Sequence, residues 1–202
     1  MIFRFLFAIM FRMFGLILQR EMSREGRLEN YRLVERIDPH GVTKLVSELA
    51  DRINRDYEGR SLLVIGILKG SFIFMADLVR RLSLPVKLDF VRLASYGDKA
   101  ESSGRVQITK RIELPVQGHH VLVVEDIIDT GVTLKWFLEH LREHRPESVR
   151  VCALIDKRER REVEVPLDYV GISVEKGFLV GYGLDFSEKH RNLPGIFEVC
   201  FE

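Results

Sequence analysis

The chain contains the run Val121-Leu122-Val123-Val124-Glu125-Asp126-Ile127-Ile128-Asp129-Thr130-Gly131-Val132-Thr133. Its apolar first part predicts a strand that is buried on both faces, as in the middle of a parallel sheet. Asp-Thr-Gly-x-Thr follows, and then a helical pattern begins. The run therefore predicts a loop at the carboxyl end of a parallel strand, just ahead of a helix.

This loop carries groups that bind phosphate. Four of its residues can offer backbone N–H groups and hydroxyls to an anion at the positive end of the helix: Asp129, Thr130, Gly131 and Thr133. Gly131 allows a tight turn and close approach of the backbone. Glu125 and Asp126 come just before the loop, within reach of a sugar attached to the phosphate. A phosphate site beside a diol site suits a ribose 5-phosphate.

Strand and helix patterns alternate along the rest of the chain, which predicts an open, mostly parallel twisted sheet with helices on both faces. The predicted helices are 42–56, 72–82 and 134–144, and the predicted strands are 62–68, 87–94, 121–125, 149–156, 169–174 and 178–180. Ligands of such sheets bind beyond the carboxyl ends of the strands. Lys69-Gly70, the 125–133 run and Lys157 all come at such ends. The alternation thus places three polar loops at one edge.

One segment inside this domain, Ser95 to Arg105, has almost nothing to bury. Its length and composition predict a mobile loop with a function. The alternating stretch that follows, Gln107 to Glu113, predicts a strand that pairs with the preceding one as a hairpin.

Composition bounds the class of protein. The 202 residues favour a single α/β domain, and a hydrophobic content of 46% is ample for a core. Lys and Arg number 31 against 30 Asp and Glu, so the net charge of +1 gives no case for nucleic-acid binding. The two cysteines, Cys152 and Cys200, are far apart in sequence and are expected to be reduced thiols of a cytoplasmic protein.

The first 21 residues do not fit the domain pattern, and we place the domain at 22–202. Met1 to Leu18 is rich in Phe, Ile, Leu and Met, but Arg4 and Arg12 make it a marginal membrane span. It also lacks a convincing signal-peptidase site. The preferred interpretation is that translation begins at Met22, and the second is a peripheral amphipathic membrane anchor.

The thirteen-residue run resembles the phosphoribosyl-pyrophosphate (PRPP) motif of the type I phosphoribosyltransferases. Its Glu-Asp-Ile-Ile-Asp-Thr-Gly form resembles the 6-oxopurine branch, the hypoxanthine-guanine phosphoribosyltransferases. The resemblance extends from about Val34 to Glu202, with Val132 as a departure at a position that contributes only backbone. It implies the family's fold with a small hood, and Mg²⁺-dependent transfer of phosphoribose from PRPP to hypoxanthine or guanine.

The resemblance also implies roles for the PRPP and pyrophosphate groups. Glu125 and Asp126 would hold the ribose hydroxyls directly or through Mg²⁺, and Asp129 would share the purine N7 proton. Lys69 and Gly70 would meet the pyrophosphate, in a loop that in the family has a cis peptide at the position of Leu68–Lys69. Arg191 matches another pyrophosphate position.

For the base, the resemblance assigns Lys157 to the 6-oxo group, since an ammonium can only donate a hydrogen bond. Phe178 would stack on the purine, Leu179 would contact the base edge through its backbone, and Asp185 would hold Mg²⁺. Ser95 and Tyr96 would begin a loop that closes over the reacting groups. These last two lie in the segment predicted to be mobile.

Simpler interpretations stay open at this stage. Lys69 suits a solvated strand end, Phe178 suits a core, and Lys157 suits a surface run with Arg158, Arg160 and Arg161. Two functional alternatives also remain: a xanthine-preferring relative, and a PRPP-sensing RNA-binding regulator on the same fold. We expect no nucleic-acid or membrane partner and a homodimer or homotetramer.

Overall fold

The computed structural model describes residues 31–98 and 101–201, with the side chains of 95–98 and 101–105 excepted. Along the described chain the elements are β1 (Tyr31–Ile37), α1 (Pro39–Asp56), β2 (Leu62–Leu68), α2 (Phe72–Val79), β3 (Val86–Asp98), β4 (Glu101–Lys110), β5 (His120–Ile128), α3 (Val132–Glu143), β6 (Ser148–Lys157), β7 (Tyr169–Val174), β8 (Leu179–Val180) and β9 (Ile196–Phe201).

The main sheet has six strands in the order β4-β3-β2-β5-β6-β7. All neighbours pair in parallel except β3 and β4, which are antiparallel. The mostly parallel α/β sheet predicted from the sequence is therefore confirmed. From β2 the chain moves outward to β3, whereas from β5 it moves the other way to β6. The boundary between β2 and β5 is thus a topological switch point, where ligands of such sheets bind.

The helices cover both faces of this sheet, and the alternation of side chains along β5 shows how. Leu122 and Val124 pack in the core that contains the buried faces of α1 and α2. Val121 and Val123 point the other way, into the core that contains the buried face of α3. The side chains of β5 thus point alternately to the two faces of the sheet, and the same alternation applies to Glu125 and Asp126 at the end of the strand.

The first helix illustrates how local sequence sets an element. Asp38 caps α1, its carboxylate accepting a hydrogen bond from the N–H of Gly41 at 2.6 Å, and Pro39 occupies the first turn. The apolar face predicted for this helix is buried at Val42, Val46 and Leu49, together with Ala50 and Ile53. The helix begins three residues earlier than the periodicity alone predicts.

Residues 95–98 and 101–105, predicted to belong to a loop, lie in strands instead, whereas the mobility predicted for this segment stays a prediction. Strand β3 continues to Asp98 and β4 begins at Glu101, and Ser95 and Tyr96 pair across to Val106 and Arg105. Few residues there need burial, but hydrogen bonding between the two strands of a hairpin does not require it. The hairpin itself was correctly predicted. The side chains of Ser95 and Tyr96 lie outside the described part of the structure.

A second, three-stranded sheet in the order β1-β9-β8 forms the hood. No sequence pattern predicted β1 or β9, which carry charges such as Arg36 and Glu198 that pair with each other. The unit that contains every site below is Leu33–Val199. In a separate unit, the rings of Tyr31 and Phe201 meet edge to face with centroids 6.3 Å apart.

No helix in the described ranges is long and apolar enough to span a bilayer. The N-terminal hydrophobic segment lies outside those ranges, so the domain boundary at Met22 stays a prediction.

Candidate active site

A cavity of about 270 Å³ lies beyond the carboxyl ends of β2 and β5, at the switch point. Its polar lining comes from residues predicted to bind PRPP: Glu125, Asp129, Thr130, Gly131 and Thr133. Ile67, Leu68 and Leu93 are among its apolar lining residues. The structure therefore brings the predicted phosphate loop and one of the two predicted ribose acids into a common cavity.

Residues 161–163 pack against the predicted phosphate loop, residues 129–133. Gly131 has φ +83°, and a Cβ there would overlap the carbonyl oxygen of Val163. The carbonyl of Thr130 accepts hydrogen bonds from the N–H groups of Glu162 and Val163, both at 3.0 Å. Glycine is thus required at 131 by both conformation and space.

Arg161 supports this loop, although no sequence pattern predicted such a position for it. Its side chain is only 6% exposed. It donates to the carbonyl oxygens of Asp129 at 2.9 Å, Ile128 at 3.1 Å and Lys157 at 3.1 Å, and to the carboxylate of Asp156 at 2.6 Å. Arg161 therefore fixes the phosphate loop to the end of β6, and the interpretation of 157–161 as a surface run is wrong for this residue.

Lys157 is also buried, with 7% of the residue exposed, so the surface interpretation fails here as well. Its Nζ lies 3.9 Å from Oδ1 of Asp129 and 3.4 Å from Oε2 of Glu159. Oδ1 of Asp129 is buried and accepts no hydrogen bond from the part of the chain that the structure describes, whereas Oδ2 lies 3.3 Å from the exposed Arg160. An ammonium donor and an unsatisfied carboxylate oxygen thus face the same place.

Glu125 and Asp126 form a pair of neighbouring acids at the end of β5. Burial raises the pKa of Glu125 well above its usual range, and the adjacent Asp126 carboxylate raises it further. Burial also raises the pKa of Asp126, although backbone N–H groups and the charge of Arg191 oppose this. Both ionised forms are therefore disfavoured in the protein alone, and a cation would relieve them.

The loop after β2 meets this pair from the α2 side. The Leu68–Lys69 peptide is cis, as the resemblance implies. A Cβ at position 70 would overlap the Asp126 carboxylate, so only glycine fits beside it. Gly70 is thus placed against an acid at the switch point.

The hood also includes residues 178–191, which carry aromatic and charged side chains. Phe178 is 44% exposed and meets Phe186 edge to face at 5.3 Å, so the core interpretation of Phe178 is wrong. Leu179 is buried in β8. Arg191 donates to the carbonyl of Gly183 at 2.8 Å, and the backbone at Gly183 packs against the carbonyl of Gly70.

Arg191 also pairs with Asp185 at 2.7 Å and with Glu188 at 3.2 Å, and Glu188 pairs with Lys69 at 2.9 Å. These hydrogen bonds, that of Lys69 first, lower the pKa of the Glu188 carboxyl. The sequence did not single out Glu188, whose only signal is its position between Asp185 and Arg191.

The described residues that were predicted to bind the purine do not line the 270 Å³ cavity. Only Lys157 is connected to its wall, through Asp129. The phosphate side is therefore a formed cavity, and the residues predicted to bind the base lie outside its lining.

Comparison with known proteins agrees with this arrangement. Residues 34–187 match the Phosphoribosyl transferase domain family. Hypoxanthine phosphoribosyltransferase of Haemophilus influenzae is 43% identical over 169 residues, covering 82% of this chain and 94% of its own. Hypoxanthine-guanine phosphoribosyltransferase of Dictyostelium discoideum is 43% identical over 162 residues, covering 78% of this chain and 90% of its own.

Among solved structures, a hypoxanthine-guanine phosphoribosyltransferase from Bacillus anthracis superposes with a TM-score of 0.79 at 42% identity, covering 84% of this chain and 99% of that one. The fold, the phosphate loop and these similarities agree: the chain belongs to the phosphoribosyltransferase family and is an enzyme of the pentosyltransferase class.

Proposed function

We propose that the protein transfers the 5-phosphoribosyl group of PRPP to hypoxanthine, and also to guanine, yielding IMP or GMP and pyrophosphate in purine salvage. One observation carries the choice of a 6-oxopurine: Lys157 Nζ and Asp129 Oδ1 lie 3.9 Å apart beside the phosphate loop. The relatives' names favour this substrate class over xanthine, and favour an enzyme over an RNA-binding regulator.

The base is held by complementary hydrogen bonds. O6 and N7 are adjacent acceptor and donor positions on one edge of the purine when N7 carries the proton. Lys157 donates to O6, and Asp129 accepts the N7 proton as the base attacks. The 6-amino group of adenine would meet the Lys157 ammonium donor to donor, so adenine is rejected. Phe178 stacks on the ring, and the backbone of Leu179 contacts the 2-position edge.

The phosphoribosyl group lies in the cavity. The backbone of 129–133 and the hydroxyls of Thr130 and Thr133 bind the 5-phosphate at the start of α3. Glu125 and Asp126 hold the ribose hydroxyls. Gly70 and the side chains of Lys69 and Arg191 bind the leaving pyrophosphate.

Mg²⁺ suits the acids at this edge. Among the described residues no three His, Cys, Asp or Glu side chains converge as a metal cage. Mg²⁺ rarely needs one, because it takes one or two carboxylates and fills its shell with phosphate oxygens and water. Glu125 and Asp126 would hold Mg²⁺ beside the ribose and Asp185 would hold Mg²⁺ near the pyrophosphate, and the raised pKa values of the first two fit a site that binds a cation. When bound with PRPP, Mg²⁺ neutralises charge on the leaving pyrophosphate.

Ser95 and Tyr96 lie on the hairpin beside the cavity edge formed by Leu93. In this proposal their segment closes over the site during the reaction and excludes water, which would otherwise consume the ribosyl cation-like species.

The test is a spectrophotometric assay of the purified protein with PRPP, Mg²⁺ and each of adenine, guanine, hypoxanthine and xanthine. The proposal predicts turnover with hypoxanthine and guanine. Turnover with xanthine alone would favour the xanthine-preferring alternative. Salt-sensitive RNA binding without turnover would favour the regulator.

Three further expectations belong to this proposal: a homodimer or homotetramer, a cytoplasmic location and a start at Met22. We expect a chain that begins at Met22 to be fully active, since the site residues lie beyond residue 34. Mass spectrometry of the native N-terminus after cell fractionation tests this, because peptides from Met1 to Arg20 in a membrane fraction would contradict it.

A further inference from the structure

Four charged side chains connect the loop after β2 to the hood: Lys69, Asp185, Glu188 and Arg191. Both cations of this group meet one oxygen atom, Oε2 of Glu188, with Lys69 Nζ at 2.9 Å and Arg191 Nη2 at 3.2 Å. Asp185 holds the same Arg191 nitrogen at 2.7 Å. Two separate parts of the chain thus present their positive charges to a single carboxylate oxygen.

The position of Glu188 is set by the backbone around it. Its N–H donates to Oδ2 of Asp185 at 2.9 Å. Ser187 and Glu188 have φ of 51° and 63°, a region that residues other than glycine seldom adopt. Glu188 is therefore directed toward Lys69 and Arg191 by the turn that begins at Asp185.

The contacts of Glu188 are nevertheless easy to exchange. Its side chain is 64% exposed and that of Lys69 is 46% exposed. Ion pairs this open to water contribute little to stability, because solvent screens them and both side chains lose freedom. An anion with several oxygens and a higher charge would compete well for the same two cations.

We propose that Glu188 is an internal stand-in for pyrophosphate. It holds Lys69 and Arg191 together in the free protein and gives them up when the diphosphate binds. The inference rests on the proposed function, which assigns those two cations to the pyrophosphate. It makes Glu188 a positioning residue that also limits how tightly the product is held.

The sign of the effect separates this role from a purely structural one. If Glu188 only maintained the hood, its removal would loosen the cation pair and weaken pyrophosphate binding. If Glu188 competes with pyrophosphate, neutralising its carboxylate weakens its contacts with Lys69 and Arg191 and removes a charge that repels the ligand. Pyrophosphate then binds more tightly. Glutamine keeps the size and a hydrogen-bond acceptor while removing the charge.

The experiment is calorimetric titration of the full chain with inorganic pyrophosphate and Mg²⁺, comparing the wild type, Glu188→Gln and Glu188→Ala. Glu48→Gln is the matched control, because Glu48 is 58% exposed and, among the described residues, its one ion pair is with Lys44 on α1. We expect both Glu188 variants to bind pyrophosphate about 3- to 10-fold more tightly, less so as salt is raised, and the control to be unchanged. Urea unfolding confirms that the variants are folded.

Unchanged or weaker binding by both folded Glu188 variants, with normal binding by the wild type, would overturn this inference and leave the proposed function intact. Absence of pyrophosphate binding by the wild type and all variants would overturn the pyrophosphate assignment and the inference together.

Discussion

Two neighbouring parallel strands end in acids, and the two ends differ in what surrounds the charge. At the end of β5, Glu125 and Asp126 lie beside each other, and burial raises the pKa of both. At the end of β6, Asp156 is 2% exposed in its side chain and is bound at 2.6 Å by both Arg158 and Arg161. Ile128 and Asp156 are paired in register, so the two strand ends lie side by side.

The difference separates an acid that maintains the fold from acids that we propose bind a ligand. Asp156 has its counter-charges within the chain, and Arg161 uses the same guanidinium to hold the carbonyls of Ile128 and Asp129. Glu125 and Asp126 lack such complete compensation, at a cost to stability that a bound cation would remove. The end of β6, with Asp156 and Arg161, thus maintains the fold and is called the supporting edge. The end of β5, from Glu125 to Asp129, is called the working edge, because we propose that the substrates bind there.

The largest change in unfolding free energy is expected at the supporting edge. Arg161→Ala leaves the Asp156 carboxylate buried with one cation removed and releases three backbone carbonyls, so it should cost about 3–5 kcal/mol of unfolding free energy. Arg160→Ala is the matched control in stability, because its side chain is 66% exposed, and should change stability by less than about 0.5 kcal/mol. Urea denaturation measures both. Similar small losses would show that Arg161 does not support the loop.

At the working edge, Asp129→Asn should keep the fold and PRPP binding. Its kcat should fall roughly 10²-fold, because an amide cannot accept the N7 proton. The substitution removes the charge that lies 3.9 Å from the buried Lys157 ammonium, but Glu159 remains 3.4 Å from the same ammonium, so the loss of stability should be smaller than for Arg161→Ala. Steady-state kinetics with a parallel unfolding curve measures this. Activity near that of the wild type would remove Asp129 from the mechanism.

Lys157→Ala should give a smaller and more selective effect. We expect kcat/KM for hypoxanthine and guanine to fall at least about 10-fold with little change in PRPP affinity, since one charged hydrogen bond to the base is lost. Lys44→Ala, on the surface of α1, is the control. Loss of PRPP binding instead would place Lys157 on the phosphate side and refute its assignment to the base.

Much of this contrast could be predicted from the sequence, but only where signals are local. The continuous apolar run of β5, followed by acids and Asp-Thr-Gly, was sufficient to predict a buried strand and a glycine turn at the edge of the sheet where the cavity lies. Gly131 was predictable because a single turn requires it.

What remained hidden depends on contacts between distant parts of the chain. Arg161 looked like a surface charge because burial of an arginine is decided by carbonyls that lie 32 and 33 residues away. Glu188 is close in sequence to Arg191, but its contact with Lys69 spans 119 residues. Strands β1 and β9 come from opposite ends of the domain and carry charged residues, so no periodic pattern marked them.

The pH dependence of stability tests the same comparison at Glu125. Its pKa is raised in the folded protein, so the folded state binds the proton more tightly than the unfolded state. Stability contributed by this group is therefore lost as pH rises from the unfolded pKa, about 4.3, through the folded one. At pH 7 and above, Glu125→Gln should be more stable than the wild type by roughly 1 kcal/mol, although less active.

The most direct test of the account is the unfolding free energy of Glu125→Gln and Asp156→Asn, measured side by side in urea at pH 7.5 without Mg²⁺ or PRPP. The account predicts opposite signs. Glu125→Gln should gain stability, whereas Asp156→Asn should lose about 3 kcal/mol because the buried Arg161 loses its counter-charge. Losses of similar size in both variants would contradict the division into a working edge and a supporting edge.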